Sequence, residues 1–143
     1  MAIRLYSTFI VNNTLFGVDA TDVQEVLAPQ RLTRVPRSSP EVLGLINLRG
    51  QVVVTIDMRR LLGLPDRDED ATPVNVVLRT EDGPISVAVD EVGDVLEASD
   101  DELDRPPETL SQPTRSLVTA VQKLEDELLL VLDVKRTAQP MNR

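Results

Sequence analysis

The feature that most constrains this chain is that its two halves repeat each other. Phe16-Gly17-Val18-Asp19 through Leu27 lies against Ile85-Ser86-Val87-Ala88 through Leu96, at an offset of 69. Leu48-Arg49-Gly50-Gln51 through Asp57 lies against Leu124-Glu125-Asp126-Glu127 through Asp133, at an offset of 76. The difference of seven fits one longer loop in the second half, around Ala98 to Pro113. A unit of roughly 60–70 residues buries little surface by itself. Two such units must therefore share a core, and closing each sheet into a small barrel removes its exposed edges.

The period within each unit is two, the spacing of a strand. Leu5 to Val11 alternates, Asn12-Asn13 turns, and Leu15 to Asp19 resumes the pattern. Ala20, Val23 and Leu27 fall at helical spacing, so Asp19 to Leu27 reads as a short helix capped by Asp19 or Thr21. Gln30 to Pro40 carries Arg31, Arg34 and Arg37 among prolines and reads as a loop, either solvated or touching an acidic partner. Leu43–Leu48 and Gln51–Asp57 flank the Arg49-Gly50 turn of a hairpin. In the second strand Val52, Val54 and Ile56 share a face. Asp57 to Gly63 reads as a short helix with an Asp cap and a Gly stop, before an acidic loop from Pro65 to Pro73. Strands at Val74–Leu78 and Ile85–Val89, then Leu117–Val121 and Leu128–Val134, complete the pattern. The expected fold is mainly β. It consists of two pseudo-symmetric five-stranded barrels around a shared core, in one domain over residues 1–143. The barrels are expected at 15–72 and 73–135, with the terminal segments completing the first.

Composition excludes several functions. The chain has no Cys and no His, which removes thiolate metal sites, Cys nucleophiles and the commonest general base near neutrality. A net charge of −9 argues against nucleic-acid binding and against anionic membranes. No apolar run approaches the roughly 20 residues of a membrane span, and Met1 to Arg4 opens no signal-peptide core. A soluble cytoplasmic protein is expected, with no cofactor and no metal. Asp66, Asp68 and Asp70 suggest the start of a calcium loop, but Ala71 and Val77 stand where the loop needs Gly and Glu. Paired carboxylates leave a hydrolase as a rival reading. A small-barrel nucleic-acid binder is a third, disfavoured by charge.

The stretch Val42-Leu43-Gly44-Leu45-Ile46-Asn47-Leu48-Arg49-Gly50-Gln51-Val52-Val53 through Arg59 closely resembles the signature of CheW domains. Phe16-Gly17-Val18-Asp19 with Val23-Gln24-Glu25-Val26, Thr33-Arg34-Val35-Pro36, and Val87 through Val95 resemble further motifs of that family, in the right order. The resemblance runs from about Ser7 to Arg136. It implies an adaptor joining the cytoplasmic tip of methyl-accepting chemotaxis receptors to the regulatory domain of a CheA-type histidine kinase. A CheW-like adaptor of another chemosensory pathway, such as surface motility, is the near alternative, and a fragment of such a kinase is another. The motif positions tied to receptor or kinase coupling fall on Val23, Glu25, Gly44, Asn47 and Arg49. A further kinase-contact segment falls on Arg105, Pro106, Pro107 and Glu108. Val54 stands where the family often has Pro, and Ala120 and Asp126 where it often has Gly. Thr109 and Leu110 stand where an aromatic is common, and the chain ends soon after Val134 without a long helix.

Each of these residues has a physical reading of its own. Gly44 lets another chain's backbone or side chain approach closely, or marks a strand bulge. Val23 offers apolar area to a groove or to the core. Glu25 is a surface acid or pairs with a basic group of the receptor. Arg49 is a solvated turn residue, or a fork bridging carbonyls or carboxylates that holds the two barrels at one angle.

Overall fold

The described residues form eleven strands. In the first half these are β1 (Ile3–Val11), β2 (Thr14–Asp19), β3 (Val23–Leu27), β4 (Val42–Leu48) and β5 (Gln51–Asp57). In the second they are β6 (Val74–Thr80), β7 (Gly83–Val89), β8 (Glu91–Ser99), β9 (Leu103–Asp104), β10 (Val118–Lys123) and β11 (Leu128–Leu132). Three single-turn helices join them: α1 (Met58–Leu61), α2 (Thr114–Leu117) and α3 (Val134–Thr137). The computed structural model describes residues 2–138, so residue 1 and residues 139–143 of the expected domain lie outside the described residues.

Two sheets form. One has five strands in the order β3-β6-β7-β5-β4, the other six in the order β8-β1-β2-β11-β10-β9. Under the repeat, β1 to β5 correspond to β6, β7, β8, β10 and β11. Each sheet is thus a hybrid, in which the first hairpin of one repeat is inserted between the later strands of the other. The registers repeat as well. Val23 pairs with Leu78, and their counterparts Val92 and Phe9 pair with each other. Thr55 pairs with Ser86 across a parallel step, as Val131 does with Gly17. Bulges recur too, before Gly44 against β5 and before Ala120 against β11.

The expected boundary between residues 72 and 73 is corrected by this exchange. It would separate β6 and β7 from the sheet they complete, since the five-stranded sheet takes all its strands from 23–89. The terminal strands β1, β2, β10 and β11 belong instead to the six-stranded sheet. The strand count also differs from five and five, because two-residue β9 adds an edge to the second sheet.

Between the sheets lies the main core. It holds Phe9, Val11, Phe16 and Val18 from the first hairpin, and Leu78, Ile85, Val87 and Val89 from the second. Ile56, Met58, Leu62, Leu130 and Leu132 join them. Phe9 and Phe16 stack with ring centroids 6.4 Å apart. Burial of each such side chain contributes about 1.5–3 kcal/mol. A smaller cluster fills the curl of each sheet: Ile46, Leu48, Val53 and Val77 in the first, Tyr6, Leu15, Leu129 and Val131 in the second. Leu27 of edge strand β3 packs on the first of these clusters beside Ile46 and Leu48 of the opposite edge strand, β4. The sheet has therefore rolled until its edges meet, which is the barrel expected.

Local differences have clear causes. The helix expected over Asp19–Leu27 is a single 3-10 turn, Ala20–Asp22, capped by Asp19, whose carboxylate accepts from the Thr21 amide. Val23–Leu27 is a strand because β6 offers it a hydrogen-bonding edge and β-branched Val23 and Val26 suit the pleat. The Val52–Ile56 face is not uniformly buried: Val52 is 66% exposed at the hairpin tip and Ile56 is fully buried. Asp57 and Asp133, the matched ends of the repeat, each cap the helix that follows, α1 and α3.

Because each sheet needs strands from both repeats, neither half is a folding unit. A fragment ending at residue 72 is expected to show no native β signal in far-UV circular dichroism. Mixed with residues 73–143 it should regain that signal, and the intact chain should melt in one transition. A folded 1–72 fragment would contradict the exchange.

Candidate functional site

The β4–β5 connection is a two-residue turn. Arg49 (φ 52°) and Gly50 (φ 86°) both take positive φ, the geometry whose twist matches a tight hairpin. Asn47 holds the turn, its Oδ1 accepting from the Gly50 amide at 2.8 Å. The side chain of Arg49 then reaches across the barrel seam to Glu25 on β3. Nη1 donates to Oε2 at 2.7 Å and Nη2 to Oε1 at 2.6 Å, a two-pronged fork. Glu25 is aimed by a bulge between Val23 and Glu25, which re-orients the edge strand against β6. The hydrogen bonds from Arg49 hold the Glu25 carboxyl below its ordinary range. Arg49 stays 70% exposed while Glu25 is 20% exposed, so the fork presents a fixed guanidinium to solvent. Val26, next to Glu25, and Val52, opposite Asn47 in the hairpin, are large exposed apolar residues.

Three of the five expected coupling residues therefore meet at one rim: Glu25, Asn47 and Arg49. Val23 lies partly buried against the main core, so its area is largely spent on packing. Gly44 is buried, and a Cβ there would lie 2.7 Å from the carbonyl oxygen of Thr33. The close approach is made by the chain's own connector, since Thr33 and Leu45 exchange amide hydrogen bonds of 2.9 and 2.7 Å. Arg105 to Glu108 lie beyond β9, after the second sheet's edge, in a segment without regular structure. Arg105 and Glu108 are exposed, and the Glu108 carbonyl accepts from Arg115.

The Arg49 fork ties two edges of one sheet and does not set the angle between the barrels. A different cluster does. Asp90, at the β7–β8 corner, accepts from Arg59 of α1 (Nη2 to Oδ2, 2.7 Å) and from the Asn12 amide of the β1–β2 turn (2.7 Å). Arg67, from the acidic loop, lies 3.4 Å from Asp90 and 3.2 Å from Asp57. Arg59 and Asp90 side chains are only 15% and 18% exposed. Burial pushes the Asp90 carboxyl up, but the bonds from Arg59 and Asn12 and the charges of both arginines outweigh it, leaving it below its ordinary value. From sequence, Asp57 reads as a helix cap, while Arg59 and Asp90 stand only as motif letters. Arg67 sat in a run of acids and drew no attention.

Two open-mouthed cavities flank this frame. One, of about 410 Å³, has Arg59, Arg67 and Asp90 in its wall. The other, of about 340 Å³, lies among Asp22, Arg79, Asp82, Asp133 and Lys135. Asp22 is held above the ordinary carboxyl range by burial and then by Asp19, but Arg79 opposes the shift. Arg79 itself spans the Thr21 and Val23 carbonyls.

Comparison with known proteins finds one family over most of the chain. Residues 6–140 match the model of the CheW-like domain. The chain is 32% identical over 126 residues to the chemotaxis protein CheW of Bacillus subtilis, covering 87% of this chain and 80% of that one. It is 28% identical over 127 residues to the chemotaxis protein CheW of Helicobacter pylori, covering 89% and 76%. The crystal structure of the scaffolding protein TtCheW from Thermoanaerobacter tengcongensis superposes with a TM-score of 0.83 at 22% identity. That superposition covers 92% of this chain and 90% of that chain, and it establishes likeness of fold.

Two outcomes follow. Asp90→Asn should lower stability by about 1–3 kcal/mol at neutral pH, the scale of hydrogen bonds to a charged group. The carboxyl is depressed in the folded state, so its contribution is present above the unfolded pKa of about 3.9 and is lost as pH falls through the folded value. Urea titrations of both proteins should show a constant gap above about pH 5 that closes on acidification below about pH 4. Gly44→Ala should displace the Thr33 connector, read as faster amide exchange at Leu45 with β5 exchange unchanged.

Proposed function

The chain belongs to the CheW-like domain family, and on that premise we propose that it is a chemotaxis adaptor linking the cytoplasmic tip of methyl-accepting receptors to a CheA-type histidine kinase. Members of the family are non-catalytic scaffolds. The adaptor works in the cytoplasm and reaches membrane-bound arrays through its partners. No described helix is long and apolar enough to cross a membrane.

One observation carries the reading. The motif residues Glu25, Asn47 and Arg49, separated along the chain, converge on a single rim and lock one another there. A scaffold passes on a signal by keeping its contact surface in one shape, and a bidentate fork across a barrel seam does that at small entropic cost per bond. Exposed Val26 and Val52 add apolar area beside a fixed charge, which suits a small, transient signalling contact. Arg105 to Glu108, beyond the edge of the second sheet, add a further kinase contact to the one at the rim.

Isothermal titration against the regulatory domain of the organism's CheA-type kinase tests this. Saturable one-to-one binding is expected, and Arg49→Ala should weaken it. The exchanged pair Arg49→Glu with Glu25→Arg separates two roles. If the fork only shapes the rim, the exchange restores binding. If Arg49 itself touches the kinase, the exchange stays as weak as the single variant. No binding to the kinase domain by the unaltered protein would overturn the assignment of partner.

A further inference from the structure

This acid-rich chain matches eight of its twelve described arginines, and three of the four unmatched ones lie on one connector. Arg4, Arg49, Arg59, Arg60, Arg67 and Arg136 pair with carboxylates. Arg79 and Arg115 donate to backbone carbonyls. Among the described residues, Arg31, Arg34, Arg37 and Arg105 do neither. The first three follow one another at every third position on the connector between β3 and β4.

That connector is anchored rather than loose. Leu32 packs on the first barrel's inner cluster, Val35 is half-buried, and Thr33 is hydrogen-bonded both ways to Leu45. Pro29, Pro36 and Pro40 stiffen it further. With Leu32 and Val35 turned inward, Arg31, Arg34 and Arg37 are all exposed. Arg37 even adopts φ 62°, a conformation uncommon for a residue with a Cβ, without an internal partner. In an extended chain, three residues advance on the order of 9–10 Å, so Arg31 and Arg34 form two separate forks on a rigid rail.

We propose that this connector is a docking strip for an acidic protein segment, one carrying carboxylates spaced to meet the successive guanidinium groups. The chain's own charge selects that class of partner. A net charge of −9 repels an extended polyanion such as a bilayer or a duplex, which would face the whole molecule. A short carboxylate segment lying within a Debye length of about 8 Å feels the strip more than the distant acids. The strip uses none of the rim residues Glu25, Asn47 and Arg49, so the inference stands or falls apart from the kinase reading.

The test is fluorescence anisotropy on the full-length protein with a labelled peptide bearing glutamate at every third position. Its glutamine analogue, phosphatidylserine vesicles and a short DNA duplex serve as comparison probes. The glutamate peptide is expected to bind saturably and to weaken as salt rises. The triple variant Arg31→Gln, Arg34→Gln, Arg37→Gln should weaken it about tenfold, the scale of three exposed charge contacts. Lys123→Gln, an exposed cation off the strip, should bind as the unaltered protein does, and all variants should keep the same melting curve. Equal binding by the triple variant, or equal binding of the glutamine peptide, overturns the proposal. So does stronger arginine-dependent binding to vesicles or duplex. Salt-sensitive self-association lost in the triple variant, without peptide binding, overturns it in favour of a second copy as the occupant.

Discussion

The structure rests on the exchange of hairpins between its two repeats. β1 and β2 cannot complete a sheet with the strands that follow them, because β3, β4 and β5 are joined to β6 and β7 instead. Each repeat therefore lends its first hairpin to the other. The lent hairpins bring Phe9, Phe16, Leu78 and Ile85 to the interface, where the main core forms. A unit of this size has too little interior to be stable alone. Exchange turns two marginal interiors into one, and the barrels then need only small private clusters to fill their curls.

Polar groups finish what the core begins. The Asp90 cluster holds a corner of one sheet to a turn of the other, through Arg59 and the Asn12 amide. The Arg49 fork closes the seam of the first barrel. The two devices divide the work: one fixes barrel against barrel, the other fixes the shape of a rim. The second barrel follows the same plan, with Asp133 capping α3 as Asp57 caps α1, but with different side chains at its rim. The departures at Ala120 and Asp126 fall on its β10–β11 hairpin and the turn that joins it. The likeness between the halves is thus closest in backbone register and weaker in surface chemistry.

Much of this was readable from residues alone, where the signal is local. The Arg49-Gly50 turn, the Asp57 cap and the matched ends of the repeat depend on neighbours within a few positions, and each is present as read. Non-local features were not. Ala20, Val23 and Leu27 mimic one helical face, and only the edge of β6 makes Val23–Leu27 a strand. Period-two runs do not name their partners, so the exchange stayed hidden and the boundary was drawn in chain order. Arg49 reads as a solvated turn charge or as a fork between the barrels; its acceptor lies 24 positions away and is brought near only by the rolled sheet. Gly44 reads as a bulge or as a place where another chain comes close; the bulge is there, and its close neighbour is Thr33 of the same chain.

The exchange also sets a timetable for the nascent chain. Residues 23–89 hold every strand of the five-stranded sheet, so that sheet can pair as soon as β7 has left the ribosome. The β1–β2 hairpin is flanked in the finished sheet by β8 and β11, both made after the strands of the other sheet. Its β1 edge stays unpaired until β8 follows, and its β2 edge until β11 does. Long-range pairing of this kind is slow, and open strand edges invite the wrong neighbour. The exposed Ile3 and Leu5 lengthen the apolar segment that must be kept apart until β8 arrives.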